Sequence, residues 1–135
     1  MKRLTFLLTL VFALASQSPL VAADADKPKA VKHVNAVGAA KVLKDDSKVV
    51  VLDIRTPKEF KAGHIKGAKN IDFYEDDFEA SLKKLETDET YLVHCASGGR
   101  STKALELFKK LGFKSVIHLD GGFKDWEKSG QPVEK

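Results

Sequence analysis

TYLVHCASGGRSTKALELFKKLG, Thr90 to Gly112, holds a strand, a loop and a helix in one run. Thr90 to His94 is a short strand-like stretch of β-forming and apolar residues. From Arg100 to Leu111, the residues Ala104, Leu107, Phe108 and Leu111 fall on one helical stripe, and Gly112 supplies a C-terminal stop. A strand leading through a glycine-rich loop into a helix is the repeating step of an α/β fold.

The same alternation continues on both sides. Upstream, Lys48 to Asp53 (KVVVLD) reads as a strand covered on both faces. Thr56, Pro57 and Glu59 then form a capping box with proline at the first helical position, opening a short helix that stops at Gly63. Asn35 caps an earlier helix running to Leu43, with Val37, Ala40 and Leu43 as its apolar side, and Asp45-Asp46-Ser47 is a turn. Asn70-Ile71 is a short strand, and Asp76 to Leu85 carries Phe78, Leu82 and Leu85 at helical spacing. Downstream, Ser115 to Leu119 is another apolar strand, and Gly121-Gly122 turns into a last helix bearing Trp126. The pattern predicts an α/β fold with a mostly parallel sheet and helices on both faces.

The N-terminus has a different character. Lys2 and Arg3 precede an apolar run from Leu4 to Ala15, and small residues follow at Val21-Ala22-Ala23. This is the pattern of a secretory signal peptide, residues 1–23, and the run is short for a membrane span. Residues 24–30 read as a flexible lead-in and 31–135 as a single domain. Without the leader, 21 basic residues face 19 acidic ones. That mixed, scattered charge gives no case for a nucleic-acid partner, and no later segment is apolar enough for a membrane.

The chain has one cysteine, Cys95, so no intrachain disulfide is available in an oxidising compartment. Its position explains it. Ligands of parallel α/β sheets bind beyond the carboxyl ends of the strands, and Cys95 sits there, just before a helix. Unpaired N–H groups and the helix dipole favour an anion at such a place. Ala96 and Ser97 are small, Gly98 and Gly99 let the backbone curl inward, and Arg100 adds a positive charge. All of this favours a thiolate. No base is evident, because His94 and Cys95 are strand neighbours and point to opposite faces. His33, His64, His94 and His118 show no metal-ligand spacing, so neither metal nor cofactor is expected. Four residues separate Cys95 from Arg100. Cysteine phosphatases use a loop one residue longer, and the shorter ring suits a single terminal sulfur.

Three motifs carry a wider resemblance: DIRTPKEFKAGHIKGAKNI (Asp53 to Ile71), HCASGGRS (His94 to Ser101) and LDGGFKDWEKSGQPV (Leu119 to Val133). In these the chain resembles the single-domain rhodaneses, a family of sulfurtransferases, in an exported, periplasmic form. The resemblance implies a five-stranded sheet and an activity moving sulfane sulfur from thiosulfate or a similar donor to cyanide or a thiol through a persulfide on Cys95. It implies Cys95 as nucleophile, Ala96, Ser97, Gly98, Gly99, Arg100 and Ser101 as the cradle, and Arg100 as the contact for an anionic donor. Asp53 and Arg55 then brace the loop as a buried pair. The partners implied are small sulfur-containing anions and a thiol or protein acceptor. Ala96 stands where many thiosulfate users carry a basic residue, which predicts weak binding of a doubly charged donor. The competing readings are a non-catalytic rhodanese-like sulfur-delivery module and a cysteine-dependent phosphatase or arsenate reductase. His64 is expected to bond backbone near its turn, and Trp126 to pack the last helix on the sheet.

Overall fold

The computed structural model describes residues 30–135; the expected signal peptide and most of the lead-in lie outside the described residues. The chain runs β1 (Lys32–Val34), α1 (Ala36–Asp45), β2 (Val50–Asp53), α2 (Pro57–Ala62), β3 (Lys69–Asn70), α3 (Phe78–Lys83), β4 (Thr90–His94), α4 (Gly99–Lys110), β5 (Ser115–Leu119) and α5 (Gly122–Lys128). The five strands form one sheet in the order β1-β5-β4-β2-β3. Every pairing between them is parallel, so the expected mostly parallel sheet is wholly so.

That order fixes the site. From β2 the chain moves outward to β3, and from β4 it moves the other way to β5. The connections diverge where β2 and β4 lie side by side, with Asp53 opposite His94. A crevice opens at such a switch point, beyond the carboxyl ends of the strands.

Helices cover both faces. On one, Phe78 and Leu82 of α3 and Ala104 and Phe108 of α4 pack on Leu52, Tyr91 and Val93. On the other, Ala36 and Ala39 of α1 and Phe123 and Trp126 of α5 pack on Val51, Leu92 and Leu119. Trp126 is buried and donates its indole N–H to Pro132 O at 2.8 Å, as its packing role requires.

Local signals read from the sequence hold with small shifts. Thr56 and Glu59 complete the capping box around Pro57. Asn35 caps α1 by accepting from Gly38 N at 2.8 Å. The buried side of α1 is Ala36 and Ala39, with Ala40 and Leu43 half-buried, and Val37 is 63% exposed. The expected apolar side is corrected on that point: the small alanines, not the branched valine, let α1 lie close to the sheet. β1, three residues long, carries too little pattern to have been read.

Asp53 and Arg55 form a wholly interior ion pair. Arg55 Nε lies 2.9 Å from Asp53 Oδ1, and Arg55 Nη2 lies 2.6 Å from Oδ2. The same Nη2 donates to Gly63 O at 2.7 Å, and the guanidinium lies 3.9 Å from the Phe123 ring centroid. The pair thus ties the end of β2 to the turn after α2 and to the start of α5. Removing one partner strands a buried charge. Asp53→Ala is expected to cost about 3–5 kcal/mol in urea unfolding, whereas Lys41→Ala, at the exposed pair with Asp45, changes stability by about 0.5 kcal/mol or less.

Candidate active site

β4 delivers Cys95 to the crevice, and the loop closes round it. Gly98 N–H donates to Cys95 Sγ at 3.2 Å, Ser101 N–H at 3.4 Å and Ser101 Oγ at 3.3 Å. These are three donors aimed at one sulfur, which is only 1% exposed as a residue.

The loop can aim its N–H groups inward because its carbonyls are satisfied on the outside. Phe123 N–H donates to Cys95 O at 2.8 Å and Lys124 N–H to Ala96 O at 2.9 Å. The first free N–H groups of α5 therefore clamp the loop. Two glycines make this approach feasible. Gly122 has φ +63°, and a Cβ there would lie 2.6 Å from the Ala96 carbonyl. Gly98 has φ +98°, and a Cβ there would lie 2.1 Å from Asp120 O.

Burial pushes the Cys95 thiol up. The Ser101 hydroxyl and the N–H groups of Ser101, Ser97 and Gly98 outweigh it and hold the thiol below the ordinary cysteine value.

Arg100 has a partner that the sequence does not reveal. Its charge acts on Cys95, as the sequence suggests, but its hydrogen bonds go to Glu59. Arg100 Nη1 lies 2.9 Å from Glu59 Oε2 and Nη2 lies 2.8 Å from Oε1. The Arg100 bonds, opposed by burial and helped by the Thr56 bonds, drive the Glu59 carboxyl down to about 2. One carboxylate thus caps α2 and neutralises the arginine of α4. The sequence reading gave Glu59 only the first role. Hydrogen-bond donors, more than a free cation, hold the sulfur.

The other expected residues sit as follows. Ser97 and Gly99 are exposed, Ala96 is half-buried, and Gly98 and Ser101 are buried. Ala96 lines a cleft of about 250 Å³ together with Arg55, Glu59, Phe123, Lys124 and Glu127. A larger cavity of about 600 Å³ lies near Lys48, Val49 and Lys66, at the opposite end of the sheet. Asp53 and Arg55 brace the frame and do not touch the sulfur through any hydrogen bond. His64 Nδ1 bonds Phe60 O at 3.0 Å, as expected.

His94 lies on the face opposite Cys95. Its Nδ1–H donates to Cys95 O at 3.0 Å, while Nε2 has no hydrogen-bond partner and lies 3.7 Å from Asp53 Oδ2. Burial, against the pull of Asp53, holds the imidazole below the ordinary histidine value and keeps it neutral.

The sequence missed a second group. His118 Nε2 lies 2.7 Å from Ser101 Oγ, and His118 Nδ1 lies 2.6 Å from Asp120 Oδ1. His33 Nδ1 meets the same Asp120 oxygen at 2.6 Å. Two imidazoles and one carboxylate are also the elements of a metal site, and their ligand atoms fall within 4.8 Å of one another. Here both Nδ1 atoms are spent on one oxygen at hydrogen-bond distance.

Residues 36–129 match the family model described as the rhodanese-like domain. The chain belongs to the rhodanese-like family. It is 39% identical over 85 residues to the probable adenylyltransferase/sulfurtransferase MoeZ of Mycobacterium tuberculosis, a match over 63% of this chain that spans only 22% of that protein's length. It is 30% identical over 102 residues to the thiosulfate sulfurtransferase GlpE of Vibrio cholerae, covering 76% of this chain and 93% of that one. Among solved structures, a rhodanese-related protein from Thermoplasma volcanium is 33% identical with a TM-score of 0.68, covering 76% of this chain and 97% of that one. The likeness extends through most of the fold.

The neutral state of His94 gives a pH prediction. In the unfolded chain this imidazole protonates near the ordinary histidine value of about 6.5, and in the fold only at lower pH. Between those points the unfolded chain holds more protons, so stability rises with pH. Stability is expected to fall as pH drops below about 6.5, with His94 contributing up to about 1.4 kcal/mol per pH unit. Urea unfolding of wild type and His94→Gln from pH 7 to 5 checks this: the variant shows the shallower slope.

Proposed function

We propose that the protein is a sulfurtransferase that carries sulfane sulfur as a persulfide on Cys95. The observation that carries this reading is the ring of donors from Gly98 and Ser101 converging on Cys95 Sγ. In the first step the thiolate attacks the outer sulfur of the donor. An S–S bond forms on Cys95, the donor's own bond to that sulfur breaks, and its electron pair leaves with sulfite when the donor is thiosulfate. In the second step an acceptor, cyanide or a thiolate, attacks the outer sulfur, and the pair of the broken S–S bond returns to Sγ. This is covalent catalysis by double displacement. Loop size supports sulfur over phosphate, since four residues between Cys95 and Arg100 make a small ring. The leader at residues 1–23 supports export to the periplasm.

The charges of the loop favour a singly charged donor. Ala96 brings no cation, and Arg100 is neutralised by Glu59. One charge-assisted contact is worth roughly 1.5–3 kcal/mol, about ten- to a hundredfold in affinity. A small organic persulfide or polysulfide is therefore the preferred donor and thiosulfate the poorer one. Thiocyanate formation above the uncatalysed rate tests this. We expect kcat/KM for the persulfide donor to exceed that for thiosulfate by about tenfold or more, and Cys95→Ser to be inactive with both. Wild-type turnover by Cys95→Ser would sink the mechanism, and a preference for thiosulfate would sink the donor assignment.

A further inference from the structure

We propose that Ser101, His118 and Asp120 form a proton relay that takes the proton of the Cys95 thiol as sulfur is attacked and returns it when sulfur leaves. The part played in turnover rests on the sulfur-transfer reading above; the relay itself concerns the thiol alone.

The contacts form an unbroken line from the interior to the surface. Cys95 Sγ lies 3.3 Å from Ser101 Oγ, Ser101 Oγ lies 2.7 Å from His118 Nε2, and His118 Nδ1 lies 2.6 Å from Asp120 Oδ1. Ser101 is fully buried, His118 is 2% exposed, and the Asp120 side chain is 53% exposed. Beyond the cysteine, two segments build the line: the first turn of α4, and the end of β5 with the residue after it. His33 joins from β1, which pairs with β5 so that His33 stands beside His118.

Counting protons leaves two arrangements. Asp120 is held ionised below the usual carboxylate range: burial opposes this, and the bonds from His33 and His118 outweigh it. An ionised carboxylate only accepts, so His118 Nδ1 carries a hydrogen. Nε2 is then either bare or protonated. When it is bare, the Ser101 hydroxyl donates to it and Ser101 Oγ accepts from the thiol S–H. When it is protonated, Nε2–H donates to Ser101 Oγ and the hydroxyl donates to the thiolate. A serine hydroxyl has one proton, so these states exclude each other, and its donation to the sulfur belongs to the thiolate state. Gly98 O, 3.3 Å from Ser101 Oγ, competes for that proton, but it is a neutral acceptor already bonded by Thr102 N–H at 2.9 Å. A thiolate is the stronger acceptor.

Passing between the two states moves two protons one place each. The thiol S–H bond breaks and its proton goes to Ser101 Oγ, while the Ser101 proton goes to His118 Nε2. The freed electron pair on Sγ makes the new bond to the donor sulfur. On the return, the pair of the broken S–S bond takes its proton back by the same line. No other reactant is needed. Burial, against the pull of Asp120, keeps His118 below the ordinary histidine value, so the imidazole is bare at neutral pH and ready to accept. The titratable groups facing it are Asp120 at the end of β5, His33 of β1 with ring centroids 5.4 Å apart, Cys95 through Ser101, and the buried His94 of the neighbouring strand, with which it interacts electrostatically.

The chain's single cysteine makes the test direct, because alkylation by iodoacetamide of the folded full-length protein reports Cys95 alone. Rates are measured from pH 5 to 10 for wild type, His118→Gln and Asp120→Asn. His118→Gln keeps a hydrogen-bonding group near Ser101 but cannot take a proton, and its profile is expected to move to higher pH, about tenfold slower at pH 7 and equal to wild type at pH 10. Asp120→Asn, at a half-exposed position, moves the same way by less. Superposition of the His118→Gln profile on wild type within about twofold overturns the relay. If that variant fails to fold by circular dichroism, the Asp120→Asn profile decides in the same terms. Alkylation involves no sulfur donor, so a shifted profile in a protein that transfers no sulfur would leave the relay standing and remove the function proposed above.

Discussion

Holding negative charge on a sulfur atom inside the protein is the demand around which the rest of the structure is arranged. An ion removed from water loses several kcal/mol of solvation unless donors replace it. The loop replaces water with N–H groups from Gly98 and Ser101 and with the Ser101 hydroxyl. Those N–H groups face inward only because α5 takes the carbonyls of Cys95 and Ala96 on the outside. That contact in turn requires Gly122, where any side chain would strike the Ala96 carbonyl. Gly122 lies 27 positions after Cys95, yet the turn it makes is as much part of the cradle as the loop itself.

Around the cradle stand two ion pairs with separate tasks. Asp53 and Arg55 lie wholly inside and join the end of β2 to the turn at Gly63 and the ring of Phe123, which heads α5. They hold the clamp rather than the sulfur. Glu59 and Arg100 lie nearer the surface and join α2 to α4. Their pairing offsets the charge of Arg100 at the side of the loop.

Much of this was legible in the chain itself. The strand, loop and helix of Thr90 to Gly112, the capping box at Thr56 and the buried strand ending in Asp53 each combine a local pattern with a local physical cause, and each appears where the pattern placed it. What escaped depends on contacts far apart in sequence. β1 is too short to show alternation and is defined by its partner β5. Val37 looked apolar enough to face the sheet, but close packing favoured Ala36 and Ala39. Glu59 was visible as a cap and invisible as the partner of Arg100, 41 positions away. His118 and Asp120 reach Ser101 only because β5 lies beside β4, and His33 reaches them only through β1. No spacing rule along the chain brings residues 33, 101, 118 and 120 together.

The most direct test of the account is the intact mass of the protein after incubation with a small organic persulfide, and again after cyanide is added. A gain of about 32 Da, one sulfur atom, on Cys95 that cyanide removes is expected, the covalent intermediate of double displacement. A protein whose mass stays unchanged with both persulfide and thiosulfate would contradict it.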